Sequence, residues 1–273
     1  MHQHHIAFIG GGNMATAMIS GLMKQGFSAA HIDVVEPLAA ARERLQSHLG
    51  ITAQEQAGPF LEQADILIWA VKPQSFKEAA LQNRFCKRDA LHISVAAGIP
   101  SGSIAKWLEN ERVIRTMPNT PALIGKGITG LFARPAVTEA DRQHAERVVS
   151  GMGGFLWLAD EGLLDAVTAI SGSGPAYMFY FMEAMTAAGT DMGLEREQAY
   201  QLAVATFIGA GELARSSHEP PEILRQRVTS KGGTTHAAIT SMDDSHMKDL
   251  FAQALHAAHR RAKEMGQEFG NAQ

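Results

Sequence analysis

Apolar residues follow two alternating rhythms over the first 160 positions. Short runs rich in Ile, Val, Leu and Phe, at 5–9, 32–35, 66–71, 91–95, 112–116, 128–132 and 155–158, predict seven strands. Between several of them, at 14–25, 39–49, 103–110 and 139–150, apolar side chains are spaced by three and four and predict helices. Strands alternating with helices imply a mostly parallel sheet covered on both faces. Around Asp160 the β-branched runs stop, and 162–270 reads as Ala-, Met- and Leu-rich helix with breaks at 171–175, 189–193, 218–221 and 231–233. The expected organisation is an α/β domain over 1–160 followed by an all-helical domain over 161–273.

Within the second part, 176–188 is apolar nearly all round, with Tyr177, Met178, Phe179, Tyr180, Phe181, Met182 and Met185. A helix apolar on every face must be covered on every face, and about a hundred residues can hardly do so alone. Another subunit is expected to contribute. The longest uncharged stretch, 166–182, is interrupted by Gly172, Gly174 and Pro175 and falls short of the roughly 20 apolar residues a membrane span needs. No membrane association is expected.

Composition narrows the function. A 273-residue chain that is 45% hydrophobic and 19% charged, with a net charge of −4, offers no general attraction to nucleic acid. Cys86 is the only cysteine, which excludes an internal disulfide and points to a reducing, cytoplasmic setting. The first residues lack the basic and apolar regions of an export signal. Of twelve histidines, His2, His4 and His5 crowd one end and His256 and His259 lie one helical turn apart. A solvated helix face explains the latter pair better than a metal, and no metal is expected.

The run at 6–9 leads into Gly10-Gly11-Gly12-Asn13-Met14-Ala15, which fits G-x-G-x-x-A at a strand-to-helix turn, the Rossmann-type fingerprint of a dinucleotide site. Gly10 permits the tight turn, Gly12 admits the pyrophosphate, and Ala15 lets the helix approach the sheet. The helix N-terminus offers N–H groups to the phosphates. Strand 32–35 ends at Glu36, about 20 residues on, where an acidic residue binds a ribose hydroxyl; the same glutamate could instead cap the next helix. Loops after later strands, Ala70-Val71-Lys72-Pro73-Gln74, Ser94-Val95-Ala96-Ala97-Gly98 and Met117-Pro118-Asn119-Thr120-Pro121, lie where such sheets bind ligands. Ala97 and Gly98 leave room for a nicotinamide ring, and Asn119 could bond its amide. Lys72 fits a cofactor contact or a solvated loop equally well.

With Arg115-Thr116-Met117-Pro118-Asn119-Thr120-Pro121, the run 165–177 around Ser171-Gly172-Ser173-Gly174-Pro175, and Val228-Thr229-Ser230-Lys231-Gly232-Gly233-Thr234-Thr235, the chain resembles the Δ1-pyrroline-5-carboxylate reductases. The resemblance spans nearly the whole length. It implies a Rossmann-type doubly wound sheet followed by an all-helical dimerisation domain that interlocks with a second copy, often within a ring of dimers. It also implies reduction of the cyclic imine 1-pyrroline-5-carboxylate to L-proline, the last step of proline biosynthesis, with NADPH or NADH as hydride donor.

For the substrate carboxylate the candidates are Ser230, Gly232, Gly233, Thr234 and Thr235, a glycine turn opening a helix. Thr235 is the candidate to hydrogen-bond the ring nitrogen, and Ser171, Ser173 and Tyr177 could line the pocket or simply start a helix at Pro175. Two positions depart from the family pattern: Lys231, where proline is usual, and Glu36, which leaves the choice of cofactor open. A β-hydroxyacid dehydrogenase would carry a catalytic lysine in the second domain, but no lysine lies between Lys126 and Lys231. A nucleotide-binding protein without turnover would have no use for the 230–235 loop.

Overall fold

The computed structural model describes residues 4–83 and 89–270; Cys86 and His2 lie outside them. All seven expected strands form one sheet: β1 (Ile6–Ile9), β2 (Ile32–Val35), β3 (Ile66–Trp69), β4 (Leu91–Ser94), β5 (Val113–Met117), β6 (Gly127–Ala133) and β7 (Gly153–Trp157), in the order β2-β1-β3-β4-β5-β6-β7. Every neighbouring pair is parallel except β5 with β6. The sheet is thus mostly parallel, as the alternation of strands and helices implied.

Side-chain alternation in the strands builds two cores. Ile6, Phe8, Ile66, Ile68 and Ile93 face one side, where they meet Met18, Ile19 and Leu22 of α1 (Asn13–Lys24), Leu45 of α2 (Ala39–Leu49), and Val148 and Val149 of a helix at Glu139–Ser150. Ala7, Ile9, Leu67 and Trp69 face the other, against Phe76 and Ala80 of α3 (Pro73–Gln82) and Ile104 and Ala105 of α4 (Ser101–Leu108). Strands buried on both faces read as unbroken apolar runs, which made them conspicuous in the sequence. The helix at Glu139–Ser150, α5, starts with a capping box in which Thr138 and Asp141 satisfy each other's backbone N–H groups.

Two local readings shift. β3 ends at Trp69 rather than Val71, because Lys72 caps α3 and Pro73 occupies its first turn, where the missing proline N–H costs nothing. Helix α3 was not expected from the pattern; its buried face is only Phe76 and Ala80.

By packing, the chain forms two compact units, Met1–Ser173 with Ala258–Gln273, and Gly174–Ala257. In the first, α6 (Leu163–Val167) leads into a π-helical turn at Thr168–Gly172. The C-terminal segment of the chain also belongs there. Ser103 donates to the carbonyl of Gly270 at 3.1 Å, and Phe269 joins the core on the α3–α4 side.

The second unit is all helix: α7 (Gly174–Asp191), α8 (Arg196–Ser216), α9 (Pro221–Arg227), α10 (Thr234–Asp244) and the start of α11 (Met247–Gly270). Tyr177 and Phe181 of α7 pack edge-on against Phe251. Phe179 and Tyr180 stay 59% and 70% exposed in the single chain, as do Leu202, Ile208 and Leu213 of α8 at similar levels. Among the described residues, no helix is long and apolar enough to cross a membrane.

Candidate active site

β1 lies between β2 and β3, so the chain leaves β1 to one side and later returns on the other. Such a switch point opens a crevice at the carboxyl ends of the two diverging strands. Here those ends are the glycine loop after β1 and Ala70-Val71-Lys72 after β3.

The three glycines of the loop differ in purpose. Gly10 has φ +100°, and a Cβ there would lie 2.5 Å from the carbonyl oxygen of Ala70, so the turn requires glycine on both counts. Gly12 has an ordinary φ of −72°, and a Cβ there would meet nothing within 4 Å. The room beside it is open, and no side chain caps the N-terminus of α1, which begins at Asn13 and Met14. Fully buried Ala15 brings α1 onto the sheet. The loop therefore presents uncapped N–H groups and a positive helix end to open space, and an anionic pyrophosphate fits that cradle.

Glu36 ends β2 with 7% of its surface exposed. One carboxylate oxygen accepts from the Gly11 N–H at 2.7 Å and the other from the Leu38 N–H at 2.8 Å. The glutamate thus ties the glycine loop to the turn after β2, rather than capping α2, whose N-cap is Leu38. Arg42 supports this turn by donating to the carbonyls of Glu36 and Pro37 at 2.9 and 2.6 Å.

Lys72 is exposed and Val71 and Pro73 half-buried, at the rim beside Gly10. Asn119 donates to Ser171 at 3.1 Å and accepts from the Ile128 N–H at 3.0 Å, leaving one N–H and one lone pair for a further partner. At Gly98, beside half-buried Ala97, φ is +76° and a Cβ would come within 3.0 Å of Met265; the space on that side of Gly98 is taken by α11.

In the helical unit, Gly232 has φ +76° and Gly233 is the N-cap of α10. A Cβ on Gly233 would strike the Ser230 hydroxyl at 2.6 Å. No side chain caps this helix either, and Thr234 and Thr235 form its first turn. Thr234 is thus inside the helix and does not cap it. Lys231 is exposed.

Two buried polar arrangements escaped the sequence. His92, on β4 and 2% exposed, accepts a hydrogen bond from the Trp69 indole at 3.1 Å; burial, with Arg112 nearby, lowers its pKa to about 3. Glu161 accepts from the N–H and hydroxyl of Ser101 and from Arg115, each at 2.6 Å. Desolvation raises its pKa, but these hydrogen bonds and the charge of Arg115 outweigh it and hold the carboxyl below its usual range. Arg115 was visible in its motif; the partner 46 residues away carried no signal. Among the described residues, no group of three or more His, Cys, Asp or Glu could hold a metal ion.

Comparison with known proteins agrees with this architecture. The family model for pyrroline-5-carboxylate reductase dimerisation matches residues 161–265, and one for NADP oxidoreductase, coenzyme F420-dependent, matches 5–98. The pyrroline-5-carboxylate reductase of Pseudomonas aeruginosa is 44% identical over 273 residues, covering 99% of this chain and 100% of that one. The solved structure of the Coxiella burnetii pyrroline-5-carboxylate reductase superposes with a TM-score of 0.89 at 35% identity, covering 97% of this chain and 99% of that one. The Plasmodium falciparum pyrroline carboxylate reductase, solved with NADP bound, gives 0.86 at 26% identity with the same coverage. The chain belongs to the pyrroline-5-carboxylate reductase family.

Proposed function

We infer that this chain is an NAD(P)H-dependent reductase that converts 1-pyrroline-5-carboxylate to L-proline in the cytoplasm, acting as a homodimer joined through its helical domain. The observation that carries the reading is that each unit holds an uncapped glycine-turn helix N-terminus, at Gly12 after β1 and at Gly233 before α10, in a chain of this family. Each suits an anion. The first suits a pyrophosphate, the second a small carboxylate. We take 1–160 as the nucleotide-binding domain and 161–273 as the dimerisation and substrate-binding domain.

For the cofactor, Gly10, Gly11, Gly12, Asn13, Met14 and Ala15 form the phosphate cradle and Glu36 the ribose end. Ala70, Val71, Lys72 and Pro73 form the opposite wall, with Ala97, Gly98 and Asn119 toward the nicotinamide. The reduced nicotinamide supplies the hydride that the imine carbon accepts. The protein's part is to hold the ring in place, which by itself lowers the barrier substantially. Ser230, Gly232, Gly233 and Thr234 fix the carboxylate, and the Thr235 hydroxyl orients the ring nitrogen and relays to it, from solvent, the one proton that accompanies the hydride.

The exposed apolar faces of α7 and α8 support the dimer, because apolar surface of that extent is uncommon on a lone chain. The test compares wild type with Thr235→Ala and Gly233→Leu, following NADH or NADPH consumption with 1-pyrroline-5-carboxylate and, separately, nucleotide binding. The expected result is that both variants bind nucleotide as wild type does but lose at least about tenfold in kcat/KM, the cost of roughly one hydrogen bond to a charged group. Unchanged kcat/KM in both would remove the 230–235 loop from the site.

A further inference from the structure

We propose that Glu36 makes this enzyme discriminate against a 2′-phosphate, so that NADH is bound in preference to NADPH. The proposal rests on the dinucleotide-reductase reading above and specifies which dinucleotide it uses.

An acidic residue at the end of β2 lies where the adenosine ribose is bound in sheets of this topology. Glu36 is not merely acidic there; it is fixed. Its carboxylate is held by the N–H groups of Gly11 and Leu38, and Gly11 is part of the phosphate loop itself. Its Cβ and Cγ also fill the space beside Gly11, 3.1 and 3.2 Å from where a Cβ on that residue would lie. Rotating the side chain away would strand two N–H groups, one of them buried with the carboxylate. The carboxylate is therefore fixed in position at the end of β2.

A carboxylate has about four lone-pair positions, and the two N–H groups use two of them. The remaining two can accept from the 2′- and 3′-hydroxyls of an unphosphorylated ribose. A 2′-phosphate has lost that 2′ donor and brings nearly two negative charges against a charge that cannot move away.

Sites that accept the phosphate supply an arginine for it. Here Arg42, in the first turn of α2 with its side chain reaching back to the turn beside Glu36, is already engaged. It donates to the carbonyls of Glu36 and Pro37 and pairs with Glu55 at 3.3 Å. Recruiting it to a phosphate would remove the bonds that shape the turn at 36–38. With repulsion present and this cation committed, NADH is expected to bind at least roughly tenfold tighter than NADPH.

Isothermal titration of the wild-type protein with NADH and with NADPH reads this directly, without turnover. Glu36→Ser removes the charge, and Glu36→Gln does so while keeping most of the shape, should the serine variant fail to fold. The expected result is a dissociation constant for NADPH at least about tenfold above that for NADH in wild type, with the ratio falling severalfold or more in the variants. Equal affinities, or tighter NADPH, in wild type would overturn the proposal. So would an NADH preference that survives in a folded variant, since Glu36 would then not be its source. If the wild-type protein bound neither nucleotide, the dinucleotide reading would fail and the proposal with it.

Discussion

Gly10 and Gly12 stand two residues apart in one loop, yet replacing each with alanine should give opposite phenotypes. At Gly10 the backbone has φ +100°, and the new methyl would approach the Ala70 carbonyl oxygen to 2.5 Å. The left-handed conformation alone costs an L-residue about 1–2 kcal/mol. Displacing Ala70 adds to that, so a total of about 2 kcal/mol or more is expected. For a chain of this size, that lowers Tm by about 4–8 °C.

At Gly12, φ is −72° and the methyl would find open space. The folded protein should barely respond. A weaker N-cap costs about 0.5–1 kcal/mol and reduced freedom of the unfolded chain returns about as much. The methyl nonetheless occupies the room in which a pyrophosphate must reach the N–H groups of α1. Loss of one charge-assisted hydrogen bond, about 1.5–3 kcal/mol, weakens binding by roughly 10- to 150-fold. Thermal unfolding and NADH titration of the two variants separate the effects. If Gly12→Ala bound NADH as tightly as wild type, the open space beside Gly12 would not be the phosphate site, and the reasoning from that cradle would fail.

Three further outcomes follow from buried or exposed groups elsewhere. His92 has a folded-state pKa near 3 against an ordinary 6.5, so the unfolded chain takes up its proton first. Its contribution is complete above about pH 6.5 and falls by about 1.4 kcal/mol per pH unit below that. In urea titrations between pH 6.5 and 4.5, His92→Phe should flatten the acid slope by that amount while losing about 1–3 kcal/mol at pH 7 from the stranded Trp69 indole; an unchanged slope would contradict a neutral His92. Glu161→Gln, which leaves largely buried Arg115 without its counter-charge, should cost about 2 kcal/mol at pH 7, and less as acid protonates the wild-type carboxylate; equal stability at both ends of the pH range would contradict the ion pair. Tyr180→Glu, on the exposed apolar face of α7, should convert a dimer, or a multiple of dimers, to smaller species in light scattering; a wild-type chain that is monomeric at micromolar concentration would remove the need for a partner.

Legibility in the sequence followed the range of the forces involved. The strands were visible because each is a dense β-branched or apolar run, buried on both faces in β1, β3 and β4 though partly exposed in β6 and β7, and the glycine loop because a dinucleotide fingerprint needs glycines at fixed offsets within a few residues. Helix α3 was hidden because its buried face is two residues, Phe76 and Ala80, behind a Lys72-Pro73 pair that reads as loop. The return of the C-terminal segment to the unit that holds the sheet brings Met265 over Gly98, a contact no local pattern encodes. The same holds for the bonds from Ser101 and Arg115 to Glu161 and from Trp69 to His92. Glu36 lay between these cases. Its position announced a ribose ligand, but only the bonds from Gly11 and Leu38 reveal that its charge is fixed in place.

Hydride transfer from a nicotinamide to a cyclic imine is tested by stoichiometric turnover of the purified protein with 1-pyrroline-5-carboxylate. NADH should be consumed one for one with L-proline formed, as measured by absorbance and by chiral amino-acid analysis. Tight NADH binding with no proline produced would mean that this chain does not reduce the imine.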